Sequence, residues 1–564
     1  MRLADQARTV PAVEDVTYGL GLAGVDPGAL ASALAEAALN IASQPGSAAR
    51  SLGELVLEEG AVGLDVARGL LGVDGESRVK PDPGDRRFAD RAWRENPFLR
   101  GAAESYLVAS RWAERTLDGA TLPQEKKRKA QFVLRLLLDA AAPSNAVWLH
   151  PSVLKEAIDT GGLSVARGFA NFVEDLVRNG GLPRQVDPGA FEVGKTLAAT
   201  PGRVVFRNDL IELLAYEPQT ETVFARPLLY SPPWVNKYYV MDLAPGRSFV
   251  EYAVGQGFTV FAISYRNPDE SMAKVTLDDY LRDGLLAALD QAATITGASQ
   301  VNVFGVCLGG TLTAMALGLL AARGEAKRIG SAALVNTLVD YSDPGEIAIF
   351  TDEQAVERIE RRTARRGYLK ASEMAAAFTW MRGNDLVWSY VVSSWGMGKR
   401  PPPFDILAWN ADGTRLPAAM HSQYLRACYL ENRLANGDLV LDGTAVELSR
   451  VDTPLYVVGC ERDHIAPWRT TYRTTQLVRG ERRFVLGKSG HIAGMVVPTD
   501  NPKAAFWTNE KLPPDPEQWL DGANVQDGSW WEDWAAWASA RSGERVTPPS
   551  LPDGDPAPGS YVHG

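Results

Sequence analysis

Cysteine is scarce in this chain: Cys307, Cys428 and Cys460 are the only three in 564 residues. Three thiols make no disulfide framework, and the expectation is an intracellular protein with reduced cysteines. Histidine is nearly as scarce. Any imidazole chemistry must draw on His150, His421, His464, His491 or His563. No uncharged apolar run reaches the roughly 18 residues that a membrane span needs, so no span is expected. The first ten residues, MRLADQARTV, lack the apolar core of a secretory signal. Basic residues are in the minority, 58 Lys and Arg against 69 Asp and Glu, with an isoelectric point near 5.2. That balance argues against nucleic acid or anionic membrane as the main partner, while leaving room for a local basic site.

What the chain does have is length, tryptophan and glycine. At 564 residues it should hold more than one structural unit. The fifteen tryptophans read first as bulky core. Residues 1–190 read as an all-helical N-terminal domain, with 1–80 only weakly periodic and a linker at 81–87. Helices are expected over 97–117, after Pro123, after His150-Pro151 and over 163–178. In the last of these, Ala166, Phe169, Val173, Leu176 and Val177 follow a helical period, and Gly180-Gly181 stops it. The basic run 126–129 reads as a solvated face.

The texture changes near residue 191. Strand patterns at 204–206, 211–216, 227–230, 259–264, 301–304, 331–337, 454–459 and 484–486 alternate with helical ones. The last is expected to be the final strand. That alternation predicts an α/β domain over 191–564 with a mostly parallel sheet. Between about 340 and 449 the alternation stops, and the insert reads as a helical cap. Trp530, Trp531, Trp534 and Trp537 fit a packed amphipathic helix. Residues 546–564, rich in Pro and Gly, are expected to be a loose tail.

The chain is organised around residues 301–313, VNVFGVCLGGTLT. A short strand, Gly305-Val306-Cys307-Leu308-Gly309, and an apolar helix follow one another. This is the nucleophile-elbow pattern with cysteine in the serine position. A strained turn would lift the sulfur above the sheet and aim it at a helix N-terminus, which favours a thiolate. A buried structural cysteine is the alternative. In such a fold the acid follows a late strand and the histidine the last one. Asp463, in Glu461-Arg462-Asp463-His464, and His491, in Gly487-Lys488-Ser489-Gly490-His491, fall in that order. Glu461 is the rival acid. An oxyanion hole would need the N–H of Leu308 and one from Pro233-Trp234-Val235-Asn236, taken as Val235.

Further motifs surround these residues: Pro232-Pro233-Trp234-Val235-Asn236-Lys237-Tyr238-Tyr239, Ser264-Tyr265-Arg266-Asn267-Pro268, Met381-Arg382-Gly383-Asn384-Asp385-Leu386 and Phe404-Asp405-Ile406-Leu407-Ala408-Trp409-Asn410. With the Cys307 and His491 stretches and DRRFADRAWREN at 85–96, they resemble poly(3-hydroxyalkanoate) synthases of the single-component type, over residues 85 to about 540. The resemblance implies an α/β-hydrolase-type catalytic domain behind the helical N-terminal domain. It favours Asp463 as the acid. It implies polymerisation of (R)-3-hydroxyacyl-coenzyme A into polyester with release of coenzyme A, with a cysteine-dependent thioesterase as the alternative. It also implies a homodimer and a cytoplasmic location on polyester granules, with no resident cofactor, no metal, no membrane span and no nucleic acid. By the same resemblance Arg382 is the candidate cation for coenzyme A, against a structural pair with Asp385. His464 is a candidate for lining the acyl site, against a loop histidine with no task. Cys428 and Cys460 read as buried thiols.

Overall fold

A computed structural model describes residues 27–73, 77–82, 84–187 and 189–564. The expectations for residues 1–26, including the absent signal, lie outside them. The described residues form two compact units, 27–187 with 373–403, and 189–372 with 404–564. Among the described residues no helix is long and apolar enough to cross a membrane.

The first unit is helical, with its main helices at Pro27–Ala42, Pro45–Leu70, Pro97–Asp118, Gln124–Ala141, Pro151–Asp159 and Leu163–Arg178. Local chemistry sets the starts. Asn96 accepts hydrogen bonds from the N–H groups of Phe98 and Leu99, and Pro97 takes the first helical position. His150 caps its helix by accepting from Ser152 N at 3.2 Å. The basic run is only partly solvated: Lys129 is buried and pairs with Glu125. Helix Leu163–Arg178 inverts the usual rule. Its buried positions are Ser164, Gly168 and Asp175, while Phe169, Val173, Leu176 and Val177 face outward. The reason lies in residues 373–403, expected as part of the cap. Trp395 Nε1 donates to Asp175 Oδ2 at 2.9 Å, and Asn171 donates to Ser394 O. The insert 340–449 is therefore not one cap but is divided between the two units.

The second unit is built on a ten-stranded sheet: β1 (Gly202–Arg207), β2 (Ile211–Tyr216), β3 (Leu228–Ser231), β4 (Val260–Tyr265), β5 (Val301–Val306), β6 (Ile329–Val335), β7 (Leu455–Cys460), β8 (Arg482–Gly487), β9 (Ala505–Thr508) and β10 (Asn524–Asp527). The spatial order is 1-2-4-3-5-6-7-8-9-10. Strands β4, β3, β5, β6, β7 and β8 pair in parallel, and both edges are antiparallel. The central strands are buried on both faces, as a parallel sheet between helices requires. The stretch 484–486 is thus not the final strand. The two that follow it in this sheet are polar or half-exposed strands without apolar alternation, β10 at the edge being Asn-Val-Gln-Asp.

The end of the chain corrects a second expectation. Residues 546–564 are a strap over the β1–β2 edge. Val204 N donates to Asp555 O and Ala557 N to Gly202 O. Glu212 of β2 is completely buried, paired with Arg207, and accepts from Ser560 N (2.9 Å), Ser560 Oγ (2.6 Å) and Tyr561 N (2.9 Å). A buried carboxylate must find donors, and the strap supplies them. Composition alone gave no hint of that demand. Deleting residues 555–564 should therefore lower the urea midpoint by the equivalent of about 3 kcal/mol. The loss should be smaller in a Glu212→Gln background. An unchanged midpoint would show that the strap is ornamental.

Candidate active site

The elbow at Cys307 is forced by close backbone packing. β5 ends at Val306 and the helix Leu308–Ala322 begins two residues later, so Cys307 adopts φ 51° and ψ −120°. A Cβ at Gly305 would lie 2.6 Å from Thr313 Oγ1 and 2.7 Å from Gly310 Cα. A Cβ at Gly309 would collide with the carbonyl oxygens of Ser231 and Pro232. Only glycine permits strand, helix and the 231–235 loop to approach this closely. The turn is also pinned by Cys307 N donating to Val335 O at 2.9 Å. Cys307 is half-buried, at the N-terminus of a fifteen-residue helix whose first N–H groups face it.

Asp463 and His491 meet because the β7–β8 ladder continues past its strand ends. Glu461 N donates to Gly487 O and Arg462 N to Ser489 O, both at 2.9 Å. Asp463 and His491 are thereby drawn together, with Asp463 Oδ2 2.6 Å from His491 Nδ1. Both side chains are buried. Asp463 Oδ1 accepts from the N–H groups of Ile465 (2.9 Å) and Ala466 (2.8 Å). With both oxygens committed, the carboxylate is fixed in orientation and shaped for holding an imidazole. Glu461, the rival, is exposed and bonded only through its backbone and a long pair with Arg462.

Burial is the largest influence on His491 and pushes its pKa down. The charges of Asp463 and then Cys307, with hydrogen bonds to both, more than reverse this and hold it at about 10. Cys307, His491 and Asp463 thus form one electrostatic unit. The short helix His491–Met495 is held from below: Trp530 Nε1 donates to Gly494 O and Trp531 Nε1 to Met495 O, at 2.8 and 3.0 Å. The tryptophan helix, legible as core in the sequence, serves as the floor of the site.

Residues 84–253 match the family described as the Poly-beta-hydroxybutyrate polymerase (PhaC) N-terminus, and residues 226–498 match the alpha/beta hydrolase fold. The chain is 43% identical over 503 residues to a poly(3-hydroxyalkanoate) polymerase of Methylorubrum extorquens, covering 87% of this chain and 83% of that one. This chain belongs to the poly(3-hydroxyalkanoate) polymerase family. It is also 42% identical to polymerase 2 of Ectopseudomonas oleovorans, with 89% and 90% of the two chains covered. Identity to the polymerase subunit PhaC of Cupriavidus necator is 42%, with 87% and 85% covered.

Within this family member the other expected site residues divide. Leu308 is the first residue of the elbow helix, and Val235 lies on the loop that Gly309 packs against. His464 adjoins Asp463, and its carbonyl accepts from Glu346 N. Arg382 belongs to the helical unit, where it is exposed and paired with Asp385. Cys428 and Cys460 are fully buried, and burial pushes both thiols up. His421 is buried, which lowers its pKa to about 4 and keeps it neutral. Sequence reasoning missed a tyrosine cluster on the cap segment. Tyr341, Tyr424 and Tyr429 pack edge to face, Tyr341 and Tyr424 share a hydroxyl contact at 3.1 Å, and burial, with Cys307 nearby adding to it, pushes the Tyr429 hydroxyl up. Their spacing carries no motif, because Tyr341 meets the helical stretch carrying Tyr424 and Tyr429 only in the fold.

The raised pKa of His491 fixes the sign of a pH effect. An imidazolium favoured in the folded state stabilises fully below the unfolded value of about 6.5, and that contribution is lost as pH rises through about 10. The wild type should therefore lose stability relative to His491→Gln between these limits. Parallel unfolding midpoints for the two proteins across that range would remove the ion-pair description.

Proposed function

We propose that this chain polymerises (R)-3-hydroxyacyl-coenzyme A thioesters into poly(3-hydroxyalkanoate), through an acyl thioester on Cys307. The observation that carries the reading is the buried His491–Asp463 pair coupled to a cysteine elbow, in a chain 43% identical to a named polymerase. The Cys307 thiolate attacks the substrate carbonyl, and the sulfur–acyl bond to the enzyme forms as that to coenzyme A breaks. The departing thiolate takes its proton from the His491 imidazolium. Neutral His491 then accepts the proton of an incoming 3-hydroxyl as its oxygen attacks the enzyme thioester. That step forms the oxoester and regenerates the Cys307 thiolate beside protonated His491. The N–H groups of Leu308 and Val235 receive the oxyanion of each tetrahedral intermediate. Asp463 orients His491, in keeping with its three hydrogen bonds.

Thiol–thioester exchange is nearly balanced, so cysteine can load without trapping the acyl group, whereas oxoester formation is downhill. The scheme requires no cofactor or metal, since coenzyme A is the leaving group. His464 borders the acyl site, and Arg382 contacts the coenzyme A phosphates. We place the enzyme in the cytoplasm as a homodimer on the surface of its polyester granule. The outward apolar face of Leu163–Arg178 supports a greasy surrounding.

Cys307→Ala should abolish coenzyme A release from 3-hydroxybutyryl-coenzyme A without unfolding the protein. In the wild type, acyl units in insoluble polyester should match released coenzyme A, and a substrate lacking the 3-hydroxyl should load once and stall. Stoichiometric free hydroxy acid, or steady turnover of the deoxy substrate, would instead establish a thioesterase. Arg382→Ala should impair the coenzyme A thioester up to about tenfold more than a short thioester without the nucleotide. Equal losses on the two substrates would leave Arg382 as a partner of Asp385 only.

A further inference from the structure

The last residue of β6 and the two that follow it touch both halves of the site. Val335 O accepts from Cys307 N at 2.9 Å. Thr337 Oγ1 reaches Cys307 O at 3.2 Å and Val335 O at 3.0 Å. Between them, Asn336 turns the other way: its Nδ2 donates to the main-chain carbonyl of His491 at 2.6 Å. Its own N–H donates to Val458 O of β7 at 2.8 Å. Asn336 is completely buried and holds φ 47°, the left-handed region that side chains rarely adopt. Such a conformation persists only where the surroundings fix it, and such positions cluster at functional sites.

We infer that Asn336 is a positioning residue for the reaction, a side-chain strut that sets the distance between the Cys307 turn and the His491 loop. Its logic is steric and directional. The nucleophile is carried by β5 and the histidine by the loop after β8, with two strands between them in the sheet. No hydrogen bond within either loop can fix their separation. β6 is adjacent to β5, and the αL turn at Asn336 sends its amide across β7 to reach His491 O. Asparagine is suited because it tolerates the left-handed region and carries a donor short enough to be rigid. Among the described residues no donor reaches Asn336 Oδ1, and the thiol of Cys460 lies beside the Asn336 side chain. That thiol also packs where a side chain at Gly494 would sit, under the same helical turn. The titratable groups facing His491 are Asp463 from the β7 loop and Cys307 from the elbow, with Cys460 beneath. Asn336 adds no charge to this set and acts only through geometry.

The inference rests on the Cys307–His491 reading, so its test separates the two. The full-length wild type is first alkylated with iodoacetamide across pH. A Cys307 no more reactive than an ordinary exposed thiol would reject that reading itself. Asn336→Gly keeps the backbone conformation and removes the amide, and Asn336→Asp keeps the shape and removes the donor. Both should release coenzyme A at least about tenfold more slowly, as small misplacements in such sites do, with KM within about twofold of wild type. In Asn336→Gly, which adds no charge, the alkylation profile of Cys307 should move toward higher pH, reporting a loosened pair. Wild-type turnover with an unmoved profile in Asn336→Gly would overturn the inference. So would an Asn336→Gly protein with lower unfolding temperature but an unmoved alkylation profile, since Asn336 would then only support the fold.

Discussion

The approach of the elbow helix to the 231–235 loop is the constraint on which the rest of this molecule depends. Carbonyl oxygens of Ser231 and Pro232 occupy the space that a side chain at Gly309 would need. That contact brings the helix N-terminus, the sulfur of Cys307 and the loop carrying Val235 into one small volume. It is available only because β3 and β5 are parallel neighbours, so that both end on the same side of the sheet. The strained φ of Cys307 is a consequence of this packing and not an independent feature.

The same geometry recurs at the other end of the constellation. β7 and β8 are also parallel neighbours, and their loops continue the ladder as a pair of backbone hydrogen bonds. Asp463 and His491 then need no long-range adjustment to meet. Around them the chain adds support in layers: two N–H donors on Asp463, two indole donors under His491, and an amide from the end of β6. Each layer is a polar group buried with a partner, and the low-dielectric surroundings make each orientation costly to lose.

The insert between β6 and β7 answers a different demand. Part of it is anchored on the segment that follows β3: Trp409 Nε1 donates to Lys237 O, Tyr239 to Asp412, and Thr414 to Trp234 O. Residues 373–403 instead join the helical unit through Trp395 and Asp175. One inserted segment therefore serves two bodies. A continuous stretch of sequence without strand alternation gave no mark of where it divides.

Sequence by itself determined the elbow, the order of Cys307, Asp463 and His491, the parallel core strands and the buried tryptophan helix. These are legible because each rests on local rules: glycines at fixed offsets, apolar runs that only a doubly covered strand tolerates, and helical spacing. The family motifs carried the family membership in the same way. Tertiary structure alone decided the strap at 546–564, the last two sheet strands β9 and β10, the split insert, the outward apolar face of Leu163–Arg178, the tyrosine cluster and the reach of Asn336. In each of these a residue's environment is set by a partner far away in the chain. Ser560 is placed by the need of Glu212, Asp175 by Trp395, and Asn336 by the carbonyl of His491. A periodic pattern records which face of an element is apolar, but not which distant donor or acceptor will satisfy a polar group buried there.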